Sequence, residues 1–160
     1  MLRTCKIYIS LFVVLLSLAA CSEARRDPCQ LLTVEDVRSV DHSVAVSVWA
    51  GRDGERKEDE VCMFHTEEGD PRVMLFVWYD READPEQLVK EGTSETDTAV
   101  VDVPGAGLKA AAAFSDDELK LLAVKSPGGV VGLRVRKPVR SGSAAFDEVL
   151  KLAEKASLRY

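Results

Sequence analysis

The fold is decided by one apolar stretch, Arg72-Val73-Met74-Leu75-Phe76-Val77-Trp78-Tyr79. Alternate residues of a strand point to opposite faces, so Val73, Leu75 and Val77 share one face. The other face carries Met74, Phe76 and Trp78. A strand that is apolar on both faces is typical of a central strand with cover on both sides. We therefore expect residues 72–79 to lie in the middle of a sheet, with the cover of the second face left open.

Further strands are predicted on both sides of this stretch from alternating hydrophobicity and turn residues. The predicted strands are residues 43–50, 61–66, 99–103, 109–114, 118–125 and 130–137. The four alanines in 109–114 also favour a helix, so this segment stays ambiguous. The mixed-charge segment 51–60 is interpreted as a solvated hairpin tip, with a docking patch as the alternative.

Three helices are predicted from caps and periodicity. Thr33 is a capping residue for a helix over 34–40, and Asp84-Pro85 begins a short helix that ends near Gly92. Residues 143–158 have the apolar stripe of a helix that lies across a sheet. The expected fold is α+β, with an antiparallel sheet of about six to seven strands packed against two to three helices. A single domain over 28–160 fits this length.

The N-terminal segment has the pattern of an export signal. Arg3 and Lys6 precede an apolar run over residues 7–18, and small residues follow it. The run is too short to span about 30 Å of hydrocarbon as a permanent helix. Residues 1–20 are therefore predicted to be a cleaved signal peptide, with an uncleaved membrane anchor as the alternative.

The predicted cleavage site, Leu18-Ala19-Ala20-Cys21, resembles the lipobox of bacterial lipoproteins. In that family the cysteine thiol receives a diacylglyceryl group, and the freed amine is usually acylated as well. The resemblance implies that Cys21 begins the mature chain and carries fatty acids such as palmitate. Two or more acyl chains hold a protein firmly on a membrane. The polar residues 21–27 are predicted to be a lipidated tether.

The resemblance also implies a location in the cell envelope. In a bacterium with two membranes, Ser22 in place of Asp favours the periplasmic face of the outer membrane. In a bacterium with one membrane, the protein stays on the outer face of the cytoplasmic membrane. The sequence does not distinguish these two envelopes.

Charge argues against two classes of partner. Without residues 1–20 the chain keeps 19 of its 21 basic residues and all 27 acidic ones, so its formal charge falls from −6 to −8. A negative protein is not attracted to nucleic acid or to an anionic lipid surface. We expect no nucleic-acid partner, and membrane attachment only through the lipid at Cys21.

Cysteine usage predicts a disulfide. If Cys5 leaves with the signal and Cys21 carries lipid, Cys29 and Cys62 remain in an oxidising compartment and are expected to pair. The alternatives are a metal site, suggested by the C-x-x-H spacing from Cys62 to His65, and two free or catalytic thiols. Residues three apart on a strand point to opposite faces, which disfavours the metal, and a redox pair usually has C-x-x-C spacing.

The start of the mature chain shows a second resemblance. The run Asp27-Pro28-Cys29-Gln30-Leu31-Leu32-Thr33-Val34-Glu35-Asp36-Val37 is similar to that of a family of small bacterial lipoproteins whose role is mostly unassigned. The shared features are a Pro-Cys-x-Leu-Leu-Thr opening, a second cysteine that leads a strand, and a later Val-x-Gly-x-Gly turn. The chain departs from this pattern over 43–60. The resemblance implies a domain type and no particular activity.

No motif in the sequence predicts a reaction. A G-x-S-x-G elbow is absent from the sequence, and His42 and His65 have no nearby partner for acid–base chemistry. We therefore expect no catalytic residues, no metal and no cofactor. The leading hypothesis is an extracytoplasmic, non-enzymatic binding or interaction module. The alternative is a structural or inhibitory envelope protein that acts through protein contacts.

The candidate binding face consists of Met74, Phe76 and Trp78, with Trp49 added from the strand over 43–50. We expect these side chains to line a groove for an apolar ligand or for a segment of an envelope protein. The alternative is that a second layer covers them and makes them core. A deep apolar pocket would favour a ligand, whereas a shallow exposed patch would favour a protein partner.

Overall fold

The computed structural model describes residues 27–52, 59–93, 98–103 and 108–160. Within these ranges the chain forms one antiparallel sheet of seven strands with three α-helices, which confirms the predicted α+β class. The strands are β1 (Val46–Arg52), β2 (Asp59–His65), β3 (Pro71–Trp78), β4 (Ala99–Asp102), β5 (Ala110–Ser115), β6 (Glu118–Ser126) and β7 (Gly129–Val135). The helices are α1 (Val34–Arg38), α2 (Pro85–Gly92) and α3 (Ala144–Arg159), and a 3₁₀ turn precedes them at Pro28–Gln30.

The sheet consists of two meanders that meet at β3 and β7. The strand order is β1-β2-β3-β7-β6-β5-β4, so β1 to β3 form one meander and β4 to β7 the other. Helix α2 connects the meanders in the chain, and β7 returns to pair with β3 through Leu75 opposite Leu133. The stretch that was expected to be central is therefore the third strand of seven, paired on both sides.

The larger core lies on the face that we call the α3 face. Val73, Leu75 and Val77 are fully buried on this face. Helix α3 packs on β6 and β7, and the 3₁₀ turn packs on β1, β2 and β3. Each fully buried aliphatic side chain contributes about 1.5–3 kcal/mol relative to an exposed one.

A smaller core lies on the opposite face, which we call the α2 face. Helix α2 packs on β4, β5 and β6 and buries Val89 against that part of the sheet. The alanines of β5 resolve the ambiguity of this segment, because it forms a strand with Ala111 and Ala113 in the smaller core. Ala110 and Ala112 join the larger core on the other side. The small side chains of Ala111 and Ala113 let α2 pack closely on β5.

Helix α1 begins with the predicted cap. The Thr33 hydroxyl accepts from the Asp36 amide and the Asp36 carboxylate accepts from the Thr33 amide, both at 3.1 Å. Asp36 also accepts from Lys155 at 2.6 Å and Arg159 at 2.8 Å, which joins α1 to α3. Burial raises the pKa of Asp36, but the hydrogen bonds from Lys155, Thr33 and Arg159 outweigh burial and hold this pKa well below its usual range.

Strand β1 continues to Arg52 and β2 begins at Asp59, so the ends of the predicted loop over 51–60 belong to strands. The predicted signal peptide, residues 1–20, and the tether up to residue 26 lie outside the described residues. Within the described ranges, no helix combines the length and the apolar character that crossing a membrane requires.

Candidate functional site

The predicted disulfide between Cys29 and Cys62 is present. The two sulfurs are 2.04 Å apart. Cys29 lies in the 3₁₀ turn, where its amide donates to Asp27 Oδ1 at 2.8 Å, and Cys62 is fully buried in β2. A sulfur in a disulfide is neither a metal ligand nor a free thiol, which excludes both alternatives for this pair. His65 Nδ1 instead lies 2.9 Å from the carbonyl oxygen of Gly69.

The predicted lipidation site, Cys21, lies outside the described residues. The described chain begins at Asp27, shortly before the disulfide that fixes the 3₁₀ turn to β2. Lipidation of Cys21 therefore stays a prediction from the lipobox resemblance.

The predicted binding face is split by the structure. Trp78 is buried in the smaller core with 9% of its surface exposed, whereas Met74 and Phe76 are half-buried. The ring of Phe76 stacks on that of Trp78 with centroids 5.8 Å apart. The nitrogen Nε1 of Trp78 is buried without a hydrogen-bond partner among the described residues.

Trp49 does not share this face. It pairs with Cys62, which in turn pairs with Leu75, so its side chain belongs to the α3 face. Directly paired residues of antiparallel strands point to the same side, and Leu75 alternates with Met74 and Phe76. The grouping of Trp49 with Met74, Phe76 and Trp78 is therefore corrected by the register of β1 and β2.

The edge strand β1 exposes large apolar side chains on both of its faces. The exposed fractions are 47% for Val46, 51% for Val48 and 52% for Trp49. Val48 pairs with Met63 and Met63 with Met74, so Val48 extends the apolar surface of Met74 and Phe76 to the sheet edge. Edge strands usually carry charges or proline that prevent further pairing.

A cleft of about 350 Å³ lies beside Met74, between the end of α2 and the adjoining ends of β6 and β7. The residues that line it are Met74, Gly92, Thr93, Glu118, Leu119, Lys120, Arg134, Val135, Arg136 and Lys137. Four of these residues are cations and one is an acid. The cleft is therefore basic in a chain whose formal charge is −6.

Arg134 lines this cleft and is held in place by two hydrogen bonds. Its Nε donates to the Lys120 carbonyl oxygen and its Nη2 to the Gly92 carbonyl oxygen, both at 3.2 Å. Its guanidinium carbon lies 5.8 Å from the centre of the Phe76 ring. An arginine has five N–H groups, so three of them have no hydrogen-bond partner among the described residues.

The four cations of the cleft have no carboxylate partner among the described residues. None of Lys120, Arg134, Arg136 and Lys137 makes an ion pair with an acidic side chain in the part of the chain that the structure describes. Lys137 donates to the Val40 carbonyl oxygen, whereas the side chains of Lys120 and Arg136 make no hydrogen bond to described residues. Some cations elsewhere do have a carboxylate partner, as Arg72 has Asp41.

Sequence reasoning missed this cleft. The spacing of Arg134 and Arg136 on β7 could have indicated two cations on one face of a strand. Lys120 carried no such signal, because the pairing of β5 with β6 skips it between Leu119 and Leu121. Among the described residues, no group of three or more histidine, cysteine or acidic side chains could hold a metal ion. Searches of protein-family models, curated proteins and solved structures give no significant match to this chain.

Proposed function

We propose that this protein is a lipid-anchored binding module of the bacterial cell envelope. In this proposal Cys21 carries the lipid, residues 21–27 form the tether, and the domain over 28–160 lies outside the cytoplasm. The observation that carries the proposal is the Cys29–Cys62 disulfide. Disulfides form and persist in oxidising compartments and are rare in the cytosol, and this one follows shortly after the lipobox-like Leu18-Ala19-Ala20-Cys21.

The binding role is proposed from the basic cleft. Its volume of about 350 Å³ falls within the range of small-molecule sites, about 300–1,000 Å³. It combines the apolar Met74 with cations for which the described residues provide no carboxylate partner. His42 is exposed and His65 contacts a backbone carbonyl, so the proposal assigns neither histidine an acid–base role.

A second candidate function is a structural or inhibitory envelope protein that acts through protein contacts. The observation that favours it is edge strand β1, where Val46, Val48 and Trp49 are about half exposed. An edge strand presents unpaired backbone groups to which an extended partner segment can add as a further strand. In this function the surface around β1 is the working surface and the cleft is incidental.

Metabolic labelling with a tagged fatty acid tests the anchor. The wild-type chain should incorporate the label and partition with membranes, whereas Cys21→Ser should do neither. Cys5→Ser is the matched control, because it removes a thiol from the predicted signal peptide and should leave labelling unchanged. Equal labelling of wild type and Cys21→Ser would refute the anchor.

Crosslinking in intact cells separates the two candidate functions. Val48→Lys places a charge on β1, and Arg136→Gln removes one from the cleft, and both positions are exposed. Loss of crosslinked protein partners in Val48→Lys with retention in Arg136→Gln would support the protein-contact function. An unchanged crosslinking pattern in Val48→Lys would argue against it.

A further inference from the structure

The basic cleft contains cations that have no acidic partner among the described residues. Arg136 is exposed, and Lys120, Arg134 and Lys137 are half-buried at its walls. Glu118 is the one acid among the described residues that line the cleft, so the formal charge of these residues is +3. Like charges that converge on one cavity repel one another, and an anion in the cavity would relieve that repulsion.

The donors are also arranged for one anionic group. The two carbonyl contacts of Arg134 fix the plane of its guanidinium group, and its remaining N–H groups have no acceptor in the described part of the chain. Arginine binds phosphate through two parallel hydrogen bonds, and ammonium groups add point charges beside it. Lys120 and Arg136 have no competing hydrogen bond to described residues. A doubly charged phosphate uses several cations at once, whereas a carboxylate carries a single charge.

An apolar surface adjoins these donors. Met74 lines the cleft and pairs across the sheet with Arg134 on one side and Met63 on the other. Phe76 continues this surface and lies under the guanidinium group of Arg134. A ligand with only an anionic group would leave this surface in contact with water. A short apolar group on the ligand would cover it and gain about 0.8 kcal/mol for each methylene that it buries.

We infer that the cleft binds a small phosphate monoester that carries a short apolar group. The phosphate lies among Arg134, Arg136 and Lys120, and the apolar group lies along Met74 towards Phe76. This inference rests on the proposed binding role and names its ligand class. It does not depend on the lipid at Cys21.

The test is calorimetric titration of the full chain, purified in a neutral detergent with its disulfide intact. The probes are butyl phosphate, inorganic phosphate and pentanoate. Comparison with inorganic phosphate measures the contribution of the apolar group, and comparison with pentanoate measures the preference for phosphate over carboxylate. Butyl phosphate should bind saturably, about ten-fold tighter than inorganic phosphate, since two buried methylenes account for that factor. Pentanoate should bind at least ten-fold more weakly than butyl phosphate.

Variants locate the binding. Arg136→Gln and Lys120→Gln should each weaken butyl phosphate about ten-fold or more, because each removes a charge-assisted contact. Lys151→Gln is the matched control, since it removes the same charge from an exposed position of α3, on the other side of the sheet, and should change binding less than two-fold. Met74→Thr should remove the advantage of butyl phosphate over inorganic phosphate. Urea unfolding of each variant verifies that it is folded.

Three results would overturn the inference. The first is that butyl phosphate shows no saturable binding up to about 10 mM, a concentration that corresponds to less than about 3 kcal/mol of binding free energy. The second is that Arg136→Gln and Lys151→Gln lose equal affinity for butyl phosphate. The third is that pentanoate binds as tightly as butyl phosphate. Dihexanoyl phosphatidic acid, a soluble lipid with the same phosphate, is the last probe. Tighter binding than butyl phosphate would assign the phosphate to a lipid headgroup, and weaker binding to a soluble ester. Fatty-acid labelling of the same preparations reports on the anchor separately, so failure of the cleft and failure of the anchor are distinguishable.

Discussion

Gly132 and Trp78 should show strong energetic coupling, because the indole ring occupies the space above the glycine. A Cβ atom at residue 132 would lie 2.5 Å from Cζ3 and 2.7 Å from Cη2 of Trp78. The ring has little room to move, since it is 9% exposed and stacks on Phe76. Gly132→Ala should therefore lower the free energy of unfolding by about 1–3 kcal/mol through overpacking.

Gly132→Ala should raise the free energy of unfolding, not lower it, once the ring of Trp78 is removed. Trp78→Ala alone should lower the free energy of unfolding by about 3–5 kcal/mol, towards the lower figure because it also removes the unpaired Nε1. In that background Gly132→Ala meets no ring, and alanine in a strand interior is more stable than glycine by about 0.5–1 kcal/mol. The expected coupling energy is about 2 kcal/mol.

Urea unfolding followed by far-ultraviolet circular dichroism measures the four states of this cycle, because tryptophan fluorescence changes with the substitution itself. Trp49→Ala combined with Gly132→Ala is the control, since Trp49 is exposed on β1 and should show no coupling. A neutral Gly132→Ala with Trp78 present would refute the packing described above. A Trp78→Ala variant of nearly unchanged stability would move that side chain from the core to a groove.

Three further changes test other parts of the structure. Cys29→Ala combined with Cys62→Ala should lower the free energy of unfolding by about 3–4 kcal/mol, and a reductant should do the same to the wild type; a stable reduced chain would contradict this. The folded chain holds the pKa of Asp36 below the pKa that this carboxyl has in the unfolded chain. The ionised carboxylate therefore contributes its full stabilisation at pH values above the unfolded pKa, and this stabilisation is lost as the pH falls through the folded pKa. Asp36→Asn should thus be about 1–3 kcal/mol less stable than wild type at pH 7, with a deficit that shrinks in urea titrations below about pH 4; a constant deficit would exclude the ion pairs. Asp117→Gly should raise stability by about 1 kcal/mol in urea unfolding, because Asp116 and Asp117 both have positive φ, 51° and 64°, in the turn between β5 and β6; lower stability would contradict the turn type.

Local patterns in the sequence were sufficient to predict most of the helices and strands. The capping pair Thr33 and Asp36 and the apolar period of α3 correspond to helices. The stretch 72–79, which is apolar on both faces, corresponds to a strand paired on both sides. These features depend on neighbours a few residues away in the chain. The Cys29–Cys62 pairing followed because few thiols remained after the predicted processing.

Features set by distant pairings could not be predicted in this way. The face occupied by Trp49 depends on the register of β1 against β2, and a shift by one residue exchanges the two faces. The cleft depends on α2, β6 and β7, which the sequence does not place side by side. Lys120 reaches the cleft through a bulge in β6, and a bulge leaves no periodic signal.

The disulfide also determines how mechanical tension enters the domain. A pull on the chain before Cys29 reaches β2 through a covalent bond, so the segment between Cys29 and Cys62, which contains α1 and β1, carries none of the load. Strand β2 is hydrogen-bonded to β1 and to β3, so tension from the N-terminal side enters the sheet at a strand that is paired on both sides. Reduction would return that segment to the load path, so α1 and β1 would then carry tension as well.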